Sequence, residues 1–363
     1  MKTPSSKTIR VAALGDLLLT TRENSPVPGR GVESFSAEVR ELLASCDLVL
    51  ANLECTLPGS EKIPGEPRVF TTEAQVRGLT EAGINLVTLG NNHAFDAGDS
   101  GFQRLKDLLD TLGIARCGAG LTLHEAAGPA FWEVRGIRIA ILGVVDESSG
   151  MYRFAGEMTS GVAPLDEEQL CRAIAELRQN VDHIIVFPHW GEERFRFPSP
   201  AQIRQGRAFV EAGASLVIGH HPHVVQGLEF HRKAPIAYSL GNFLANEVYW
   251  DNGDILTWSH FERIGCILLV ELDQTGVHSV QQIPVHDDGR ILSIDTSGRG
   301  ERYLARANRY LERGITPLRH RLETFRVRTL LPILAQLRWD KLRRLRPGHL
   351  RKAIRLLVQG LRP

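Results

Sequence analysis

The feature that most constrains the fold of this chain is a short apolar run, followed by a polar turn and a helical pattern, that recurs along the sequence. The runs interpreted as strands are 9–14, 47–51, 85–89, 182–187, 215–218 and 235–240. The segments whose apolar spacing or end signals predict helices are 36–45, 72–82, 101–112, 166–180 and 200–212. Because strand and helix alternate, the pattern predicts an α/β fold.

Two further pairs of segments are predicted to be antiparallel. Residues 131–134 and 137–142 flank Arg135-Gly136, which favours a hairpin. Residues 265–272 and 277–285 are apolar runs separated by a short turn, so they also predict paired strands. The chain therefore combines strand–helix units with antiparallel strand pairs.

The predicted strand 215–218 leads into Gly219-His220-His221-Pro222-His223. Gly and Pro interrupt regular structure, so this stretch is predicted to be a rigid loop. Imidazoles held in fixed directions at the end of a strand suit a borderline divalent metal. The alternative is a polar surface turn, which one histidine would fit easily and three histidines fit poorly.

Other predicted strands also end in residues that are able to bind a metal. These residues are Asp16, Glu54, Asn91-Asn92 and His189. Each has an ordinary explanation when taken alone: a turn residue or helix cap, a solvated acid, a left-handed turn and a hydrogen-bonded core histidine. Their joint placement at successive strand ends is harder to explain in that way, and it predicts a metal site at the carboxyl ends of the strands.

Composition places the chain among ordinary globular proteins. Its 363 residues are 43% hydrophobic and 23% charged, so a sizeable core is expected. No apolar run reaches the roughly 18–20 residues of a membrane span, and residues 1–7 have no apolar signal region, so we expect a cytoplasmic protein. The five cysteines form no Cys-x-x-Cys pair and are predicted to be reduced and mostly buried, Cys55 included.

Charge is distributed unevenly along the chain. Residues 299–363 hold 18 Lys and Arg against 4 Asp and Glu, which leaves 25 basic and 38 acidic side chains in residues 1–298. We therefore predict two units, a domain over 1–298 and a basic helical extension over 299–363, with an anionic partner for the extension. Its mixture of Arg, Leu and Trp339 favours peripheral contact with the inner face of a membrane or with a synthase complex. The alternative is packing of the extension against the acidic domain, and no motif supports nucleic acid as a partner.

The motifs form a set that resembles a known family. The set comprises Gly15-Asp16, Asn52-Leu53-Glu54, Asn91-Asn92-His93, His189-Trp190-Gly191-x-Glu193, Gly219-His220-His221-Pro222-His223 and Tyr238-Ser239-Leu240-Gly241-Asn242-Phe243. It resembles the CapA family of bacterial capsule (poly-γ-glutamate) synthesis proteins, which are related to the calcineurin-like metallophosphoesterases. The resemblance spans about residues 9–285 and implies a four-layer α/β/β/α sandwich with a metal site at the strand ends.

The resemblance also implies roles for individual residues. The implied metal ligands are Asp16, Glu54 as a bridging acid, Asn92, His189, His221 and His223, with His220 as an alternative to either of the last two. His93 resembles the general acid of the phosphoesterases, and Asp96 is expected to orient it, the alternative for Asp96 being a helix cap. Asn52, Glu193 and Asn242 are expected to contact the metal or the substrate.

Two departures from the phosphoesterase pattern leave the reaction open. Position 18 is Leu18 where those enzymes carry a histidine, and Asn52-Leu53-Glu54 replaces their Gly-Asp-x-x-Asp motif. One or two ions are therefore expected, and the mixed N and O ligands favour Mn, Fe or Zn over Mg or Ca. The function expected is that of a metal-dependent hydrolase or transferase in capsule or envelope polymer synthesis, acting on an anionic polymer or a phosphorylated substrate. The alternatives are a non-catalytic component of a synthase complex and a phosphoesterase.

Overall fold

The computed structural model describes residues 8–22, 25, 28–61, 67, 69–151, 153–250 and 252–336. The strands are β1 Ile9–Leu18, β2 Leu48–Leu53, β3 Leu86–Thr88, β4 Ala115–Cys117, β5 Ala119–Gly120, β6 Ala130–Val134, β7 Ile137–Val145, β8 Gly161–Val162, β9 His183–His189, β10 Leu216–Ile218, β11 Leu228–His231, β12 Ala234–Ala237, β13 Asn242–Ala245, β14 Val248–Tyr249, β15 Ile255–Leu256, β16 Ile264–Asp273, β17 Gly276–Asp287 and β18 Leu292–Ile294. The helices are α1 Ala37–Ala44, α2 Glu73–Glu81, α3 Gly98–Leu112, α4 Leu123–Ala127, α5 Glu167–Leu177, α6 Pro200–Ala212, α7 Arg299–Glu312, α8 Pro317–Phe325 and α9 Leu331–Gln336.

Two mixed sheets form the centre of the protein. The first has the order β18-β17-β16-β1-β2-β3-β4, with β13 also paired to β1, and the second has the order β11-β12-β10-β9-β7-β6. Strands β1 to β4 run parallel, as do β7, β9, β10 and β12, so the carboxyl ends of each group lie at one edge of its sheet. The parallel strands therefore deliver their last residues to a common rim.

Side-chain alternation along the strands separates the layers. Val11 and Ala13 of β1 belong to a cluster that includes Ile139 of β7, and this cluster fills the space between the two sheets. Ala12, between them in sequence, instead joins a cluster with residues of α1, α2 and α3. On the other side, Ala140 of β7 joins residues of α5 and α6. Helices thus cover both outer faces, which confirms the predicted four-layer α/β/β/α sandwich.

Local signals in the sequence set several helix ends. Thr72 and Ser199 cap α2 and α6, and each is linked to a Gln three residues later in a capping box. Pro200 is the first residue of α6, where its missing N–H costs nothing. The left-handed Gly83, with φ of 73°, follows α2. The predicted hairpin is formed by β6 and β7 around Arg135 and Gly136.

Two strand predictions were wrong in ways that affect the site. Strand β1 does not end before Gly15-Asp16 but continues to Leu18, because Asp16 and Leu17 pair with β2 and with β13 beyond a bulge. The segment 235–240 is not one strand. It leaves the second sheet at Ala237, and Asn242 then begins β13 in the first sheet. The turn between them includes Gly241, whose φ of 67° is unfavourable for other residues.

The described part of the predicted extension contains α7, α8, a π-helical segment at Arg326–Leu330 and α9. Leu304 and Ala307 of α7 are buried, and Asn308 accepts a hydrogen bond from the backbone N of Leu228 at 2.9 Å. Within the described ranges, no helix combines the length and the apolar character needed to cross a bilayer. Trp339 and the following Leu residues, on which the membrane prediction depends, lie outside the described residues.

Candidate metal centre

The predicted site residues converge where the carboxyl ends of the two sheets meet. Asp16 lies in β1, Glu54 directly follows β2, and His189 is the last residue of β9. The histidine loop 219–223 joins this edge through His220, whose backbone N donates to the carbonyl of Pro188 at 3.0 Å. Side chains far apart in sequence are thereby brought to one buried point.

The backbone of the histidine loop is held in an unusual conformation. His221 has φ of 95° and His223 has φ of 56°, a region that residues with a Cβ rarely adopt. A Cβ on Gly219 would lie 2.1 Å from the carbonyl oxygen of Tyr238, so only glycine allows this close approach. Strained residues of this kind occur most often at functional sites.

Two overlapping groups of side chains have the geometry of a metal site. One consists of Glu54, His189 and His221, and the other of Asp16, Glu54 and His223. Within each group the ligand atoms lie within 4.8 Å of one another, and all five residues are buried. Glu54 belongs to both groups, which is the arrangement expected of a bridging acid.

Several polar atoms at this point are buried and have no hydrogen-bond partner among the residues that the structure describes. They are Asp16 Oδ2, Glu54 Oε1, His189 Nδ1, His220 Nε2 and His221 Nδ1, of which Asp16 Oδ2 has a charge contact with His223 Nδ1 at 3.3 Å. Leaving such atoms unpaired costs free energy, and the cost is highest for carboxylate oxygens. Carboxylate oxygens and imidazole nitrogens facing a common space are a donor set for a divalent cation, so the residues fit a metal.

Asp16 is fixed by neighbours that the sequence also identified. Its Oδ1 accepts hydrogen bonds from Asn52 Nδ2 at 2.8 Å and from His220 Nδ1 at 2.9 Å. Asn52 Nδ2 also donates to Glu54 Oε2 at 3.1 Å, so one amide positions both acids. The His220 ring stacks on Phe187 with centroids 5.4 Å apart, and this contact fixes its orientation. Asn52 and His220 thus hold the acids in place.

Amide oxygens contact two of the other histidines. Asn92 Oδ1 lies 2.9 Å from His189 Nε2, and Asn242 Oδ1 lies 2.9 Å from His223 Nδ1. Because an amide oxygen accepts, His223 donates from Nδ1 and its Nε2, 3.7 Å from Glu54 Oε1, is directed into the site. Outer contacts of this kind orient metal-binding histidines.

Burial and neighbouring charge set the protonation of the groups. Burial lowers the pKa of His221 to about 4 and lowers the pKa of His189 well below its usual value, so both are neutral at pH 7. Burial raises the pKa of Glu54, and Asp16 adds to this effect. Although burial also opposes a charged His223, the carboxylates of Glu54 and Asp16 raise its pKa. Neutral imidazoles are the form that binds a metal, so His189 and His221 are already in that form, whereas His223 must lose a proton when an ion binds.

His93 and Asp96 form a pair at the edge of the site. His93 Nδ1 lies 2.9 Å from Asp96 Oδ2, and the His93 side chain is 15% exposed. Burial lowers the pKa of His93, but the charge and hydrogen bond of Asp96 outweigh it and raise the pKa to about 9. Helix α3 begins at Gly98 without a side-chain cap, so the alternative of Asp96 as a cap is not what the structure shows.

The remaining predicted residues lie around this centre. Glu193 is exposed, and although desolvation raises its pKa, His223 and His221 hold that pKa below its usual value. Trp190 is fully buried and donates from Nε1 to the carbonyl of Tyr238, so it packs beneath the site. All five cysteines are free, and burial raises the pKa of Cys55 to about 12.

Sequence reasoning missed two contacts of the site. Trp258 packs against the His223 ring with centroids 5.1 Å apart. Asn91, which the sequence placed with Asn92 among the possible metal ligands, instead donates from Nδ2 to Asn52 Oδ1 at 3.1 Å and so supports the amide that holds both acids. No periodic pattern surrounds Trp258, so nothing local in the sequence points to it. The position of Asn91 two residues after the predicted strand 85–89 was the available signal for that residue.

Comparisons with known proteins agree with the motifs. Residues 10–247 match the family described as bacterial capsule synthesis protein PGA_cap. The PGA biosynthesis protein CapA of Bacillus subtilis (strain 168) is 28% identical over 299 residues, which are 79% of this chain and 77% of that protein. The capsule biosynthesis protein CapA of Bacillus anthracis is 27% identical over 256 residues, 68% of this chain and 62% of that protein.

Among solved structures, the chain is similar to the NAD nucleotidase NadN of Haemophilus influenzae. The alignment has a TM-score of 0.45 and 16% identity, and it covers 82% of this chain and 62% of that one. The family match spans well over half of the sequence and includes each of the strand-end motifs that form the buried centre. The chain belongs to the bacterial capsule synthesis protein family, PGA_cap.

Proposed function

We propose that this protein is a metal-dependent hydrolase or transferase that acts on an anionic, amide-linked polymer of the capsule or cell envelope. The observation that carries the proposal is the position of Glu54 in both groups of candidate ligands. Its Oε1 is buried and finds no hydrogen-bond partner in the described part of the chain. A carboxylate oxygen placed in this way is expected to bind a cation.

The residues proposed to hold one or two divalent ions are Asp16, Glu54, Asn92, His189, His221 and His223, and the mixture of N and O ligands favours Mn, Fe or Zn over Mg or Ca. A bound ion would polarise a carbonyl or phosphoryl oxygen and lower the pKa of a bound water toward neutrality. Asn52 and His220 keep Asp16 in place through their hydrogen bonds to its Oδ1.

His93 is proposed to supply a proton to the leaving group. Asp96 accepts from Nδ1, so the proton available for transfer is the one on Nε2. The pKa of His93, raised to about 9, keeps that proton bound at neutral pH. Glu193, exposed beside the histidines, and Asn242 are proposed to contact substrate or to support the ligands.

We infer the class of polymer from the family to which the chain belongs. The name of the family refers to capsule synthesis, and that of the Bacillus subtilis relative to PGA biosynthesis. Poly-γ-glutamate is an amide-linked chain of carboxylates, which is a suitable substrate for a site that polarises a carbonyl group. Hydrolysis or transfer at its γ-amide is therefore the reaction proposed.

The proposal is tested by assaying the purified full chain with added Mn, Zn or Mg against poly-γ-glutamate and, separately, against an aryl phosphate. The expected result is metal-dependent cleavage of the polymer that His221→Ala abolishes and His231→Ala leaves unchanged. His231 is the matched control because it is a partly exposed histidine that pairs with Glu211. Turnover of the aryl phosphate alone would identify a phosphoesterase instead.

One observation favours a second candidate function, that of a non-catalytic component that binds a metal or the polymer for a synthase complex. The Leu18 side chain is buried in the core and offers no ligand where the phosphoesterases carry a histidine. Metal bound in stoichiometric amount, together with no turnover of either substrate, would support this alternative over the enzyme.

A further inference from the structure

Helix α7 carries a row of arginines on its exposed side. Arg302, Arg306, Arg309 and Arg313 are separated by four, three and four residues, so they lie on one face of the helix. All four are exposed. None forms an ion pair with an acid in the ranges that the structure describes. This row, the α7 arginine row, therefore presents unneutralised positive charge.

A cavity of about 520 Å³ lies beside α7 and is lined in part by arginines. Arg194, Arg196, Arg306 and Arg326 all contribute to its wall. Two carboxylates contact them: Glu262 accepts from Arg194, and Glu323 accepts from Arg196 and Arg326. Four cations against two anions leave the cavity with net positive charge.

A buried hydroxyl in the cavity wall also lacks a hydrogen bond. Tyr303 lines the cavity, and its Oη is buried with no partner among the described residues. Burial raises the pKa of Tyr303 to about 12, so the hydroxyl stays protonated and can donate. An unpaired donor among arginines is suited to a carboxylate or phosphate oxygen.

The α7 arginine row and the cavity are continuous. A recess of about 400 Å³ is lined by all four arginines of the row together with Tyr310. Arg306 and Tyr310 also line the cavity, so the two spaces share a wall. One basic surface thus passes from the outside of α7 into the cavity.

The cavity is adjacent to the candidate metal centre. Val224, the residue after His223, lines it, as does Trp258, whose ring packs on His223 at 5.1 Å. The carbonyl of Glu262 accepts from Asn242 Nδ2 at 3.0 Å, and Asn242 in turn contacts His223. A ligand in the cavity would therefore be separated from His223 by the wall that Val224 and the Trp258 ring form.

We propose that the α7 arginine row and the cavity form one binding track for a linear polymer of carboxylates, which the track leads to the metal centre. The inference rests on the proposed function for the identity of the polymer, and on the charges described above for the track. From Arg302 to Arg313 the row extends about 16 Å along the helix, too far for one small anion to contact. A concave cavity is reached by a chain and not by a flat bilayer, so the polymer is favoured over an anionic membrane.

The test measures binding of a fluorescein-labelled γ-linked glutamate oligomer to the full chain by fluorescence anisotropy, with EDTA present so that neither metal nor turnover contributes. The triple variant R302Q/R309Q/R313Q is expected to weaken binding about tenfold. Tyr303→Phe, which removes only the hydroxyl, is expected to weaken it several-fold. Added salt should weaken binding by the wild type more than by the triple variant.

The matched control removes the same charge elsewhere. Arg172, Arg204 and Arg207 are exposed arginines on α5 and α6 that each pair with a glutamate, and R172Q/R204Q/R207Q should bind the oligomer as the wild type does. Equal binding by the two triple variants would overturn the track, as would wild-type binding to phosphatidylserine vesicles but not to the oligomer. Oligomer binding that depends on the α7 arginine row, in a wild type that binds no metal, would support the track and refute the proposed function.

Discussion

The Oε1 atom of Glu54 lies 3.7 Å from the Nε2 atom of His223 and 3.9 Å from the Nε2 atom of His189. Glu54 therefore connects the two candidate ligand groups, whereas His221 belongs to only one of them. We predict that Glu54→Gln weakens Zn²⁺ or Mn²⁺ binding at both groups by at least about tenfold, because the amide carries no charge. His221→Ala should affect one group and leave the other able to bind.

Isothermal titration of the full chain with each metal measures both stoichiometry and affinity. The rise in melting temperature on metal addition gives a second readout, since a ligand of the folded state stabilises it. His231→Ala is the control for loss of a histidine away from the site. If Glu54→Gln binds metal as tightly as the wild type, Glu54 is not a ligand of either group.

The pair His93 and Asp96 gives a prediction for the metal-free protein. Asp96 raises the pKa of His93 to about 9 against the opposing effect of burial. In Asp96→Asn, burial still lowers the pKa of His93, but the negative charge of Asp96 that raised it is gone. The pKa of His93 should therefore fall below its ordinary value of 6.5. Imidazole resonances followed by NMR during a pH titration measure this directly. Asp99→Asn is the matched control, because Asp99 is a nearby exposed acid that pairs with Arg153.

The direction of the shift in the pKa of His93 predicts how the reaction rate depends on pH. In the wild type, His93 should stay protonated up to about pH 9, so a step that needs its proton loses rate only above that value. In Asp96→Asn, with the lower pKa of His93, the loss of rate should begin more than two pH units lower. A wild-type His93 that titrates near 6.5 would show that Asp96 does not control its protonation.

The alternation of strands and helices made the fold class predictable, and the strand-end motifs made the convergence of Asp16, Glu54, His189 and the histidine loop predictable. Each of these residues follows or ends an apolar run long enough to recognise. The four layers could not be derived from the pattern, because the runs do not show which strands share a sheet. That step depended on the family resemblance.

Other parts of the site could not be recognised from local patterns in the sequence. Strand β13 has four residues, and it exists because Asn242 and Leu244 pair with β1 more than two hundred residues earlier. Trp258 reaches His223 from a segment without regular structure. The cavity is formed by residues from five separate segments, 194–196, 224, 257–262, 303–310 and 326–331, so its arginines could be counted in the sequence but not placed together.

The approach of Gly15 to Gly241 predicts the effect of one added methyl group. A Cβ at Gly15 would lie 2.0 Å from the carbonyl oxygen of Gly241, the same oxygen that accepts from Asp16 N at 2.9 Å. We predict that Gly15→Ala destabilises the protein by about 2 kcal/mol or more, because backbone rather than a flexible side chain must move. The displaced Asp16 should also weaken metal binding.

Urea unfolding gives the stability change, and metal titration gives the change in affinity. Gly314→Ala is the control, since a Cβ there meets nothing within 4 Å and only the left-handed backbone, with φ of 70°, opposes it. Its cost should be about 1 kcal/mol, with metal binding unchanged. A Gly15→Ala variant that is as stable as Gly314→Ala and binds metal normally would contradict the close approach.

Glu323 in α8 connects the C-terminal helices to the segment that follows the metal centre, and it gives a prediction of pH-dependent stability. Its Oε2 accepts from Arg196 Nη2 at 2.6 Å and its Oε1 from Arg326 Nη2 at 2.6 Å. Burial alone would raise the pKa of Glu323, but these hydrogen bonds outweigh it and lower the pKa to about 2. At neutral pH, Glu323→Gln should lower the free energy of unfolding by about 2 kcal/mol.

Because the folded-state pKa of Glu323 lies below the ordinary value of 4.5, the carboxylate stabilises the fold fully above that value and loses its effect as the pH falls toward about 2. The difference in unfolding free energy between the wild type and Glu323→Gln should therefore shrink between pH 7 and about pH 3. Glu312→Gln, an exposed acid at the end of α7, should show no such change. A difference for Glu323→Gln that is the same at both pH values would mean that the arginines do not hold this carboxylate ionised in the folded state.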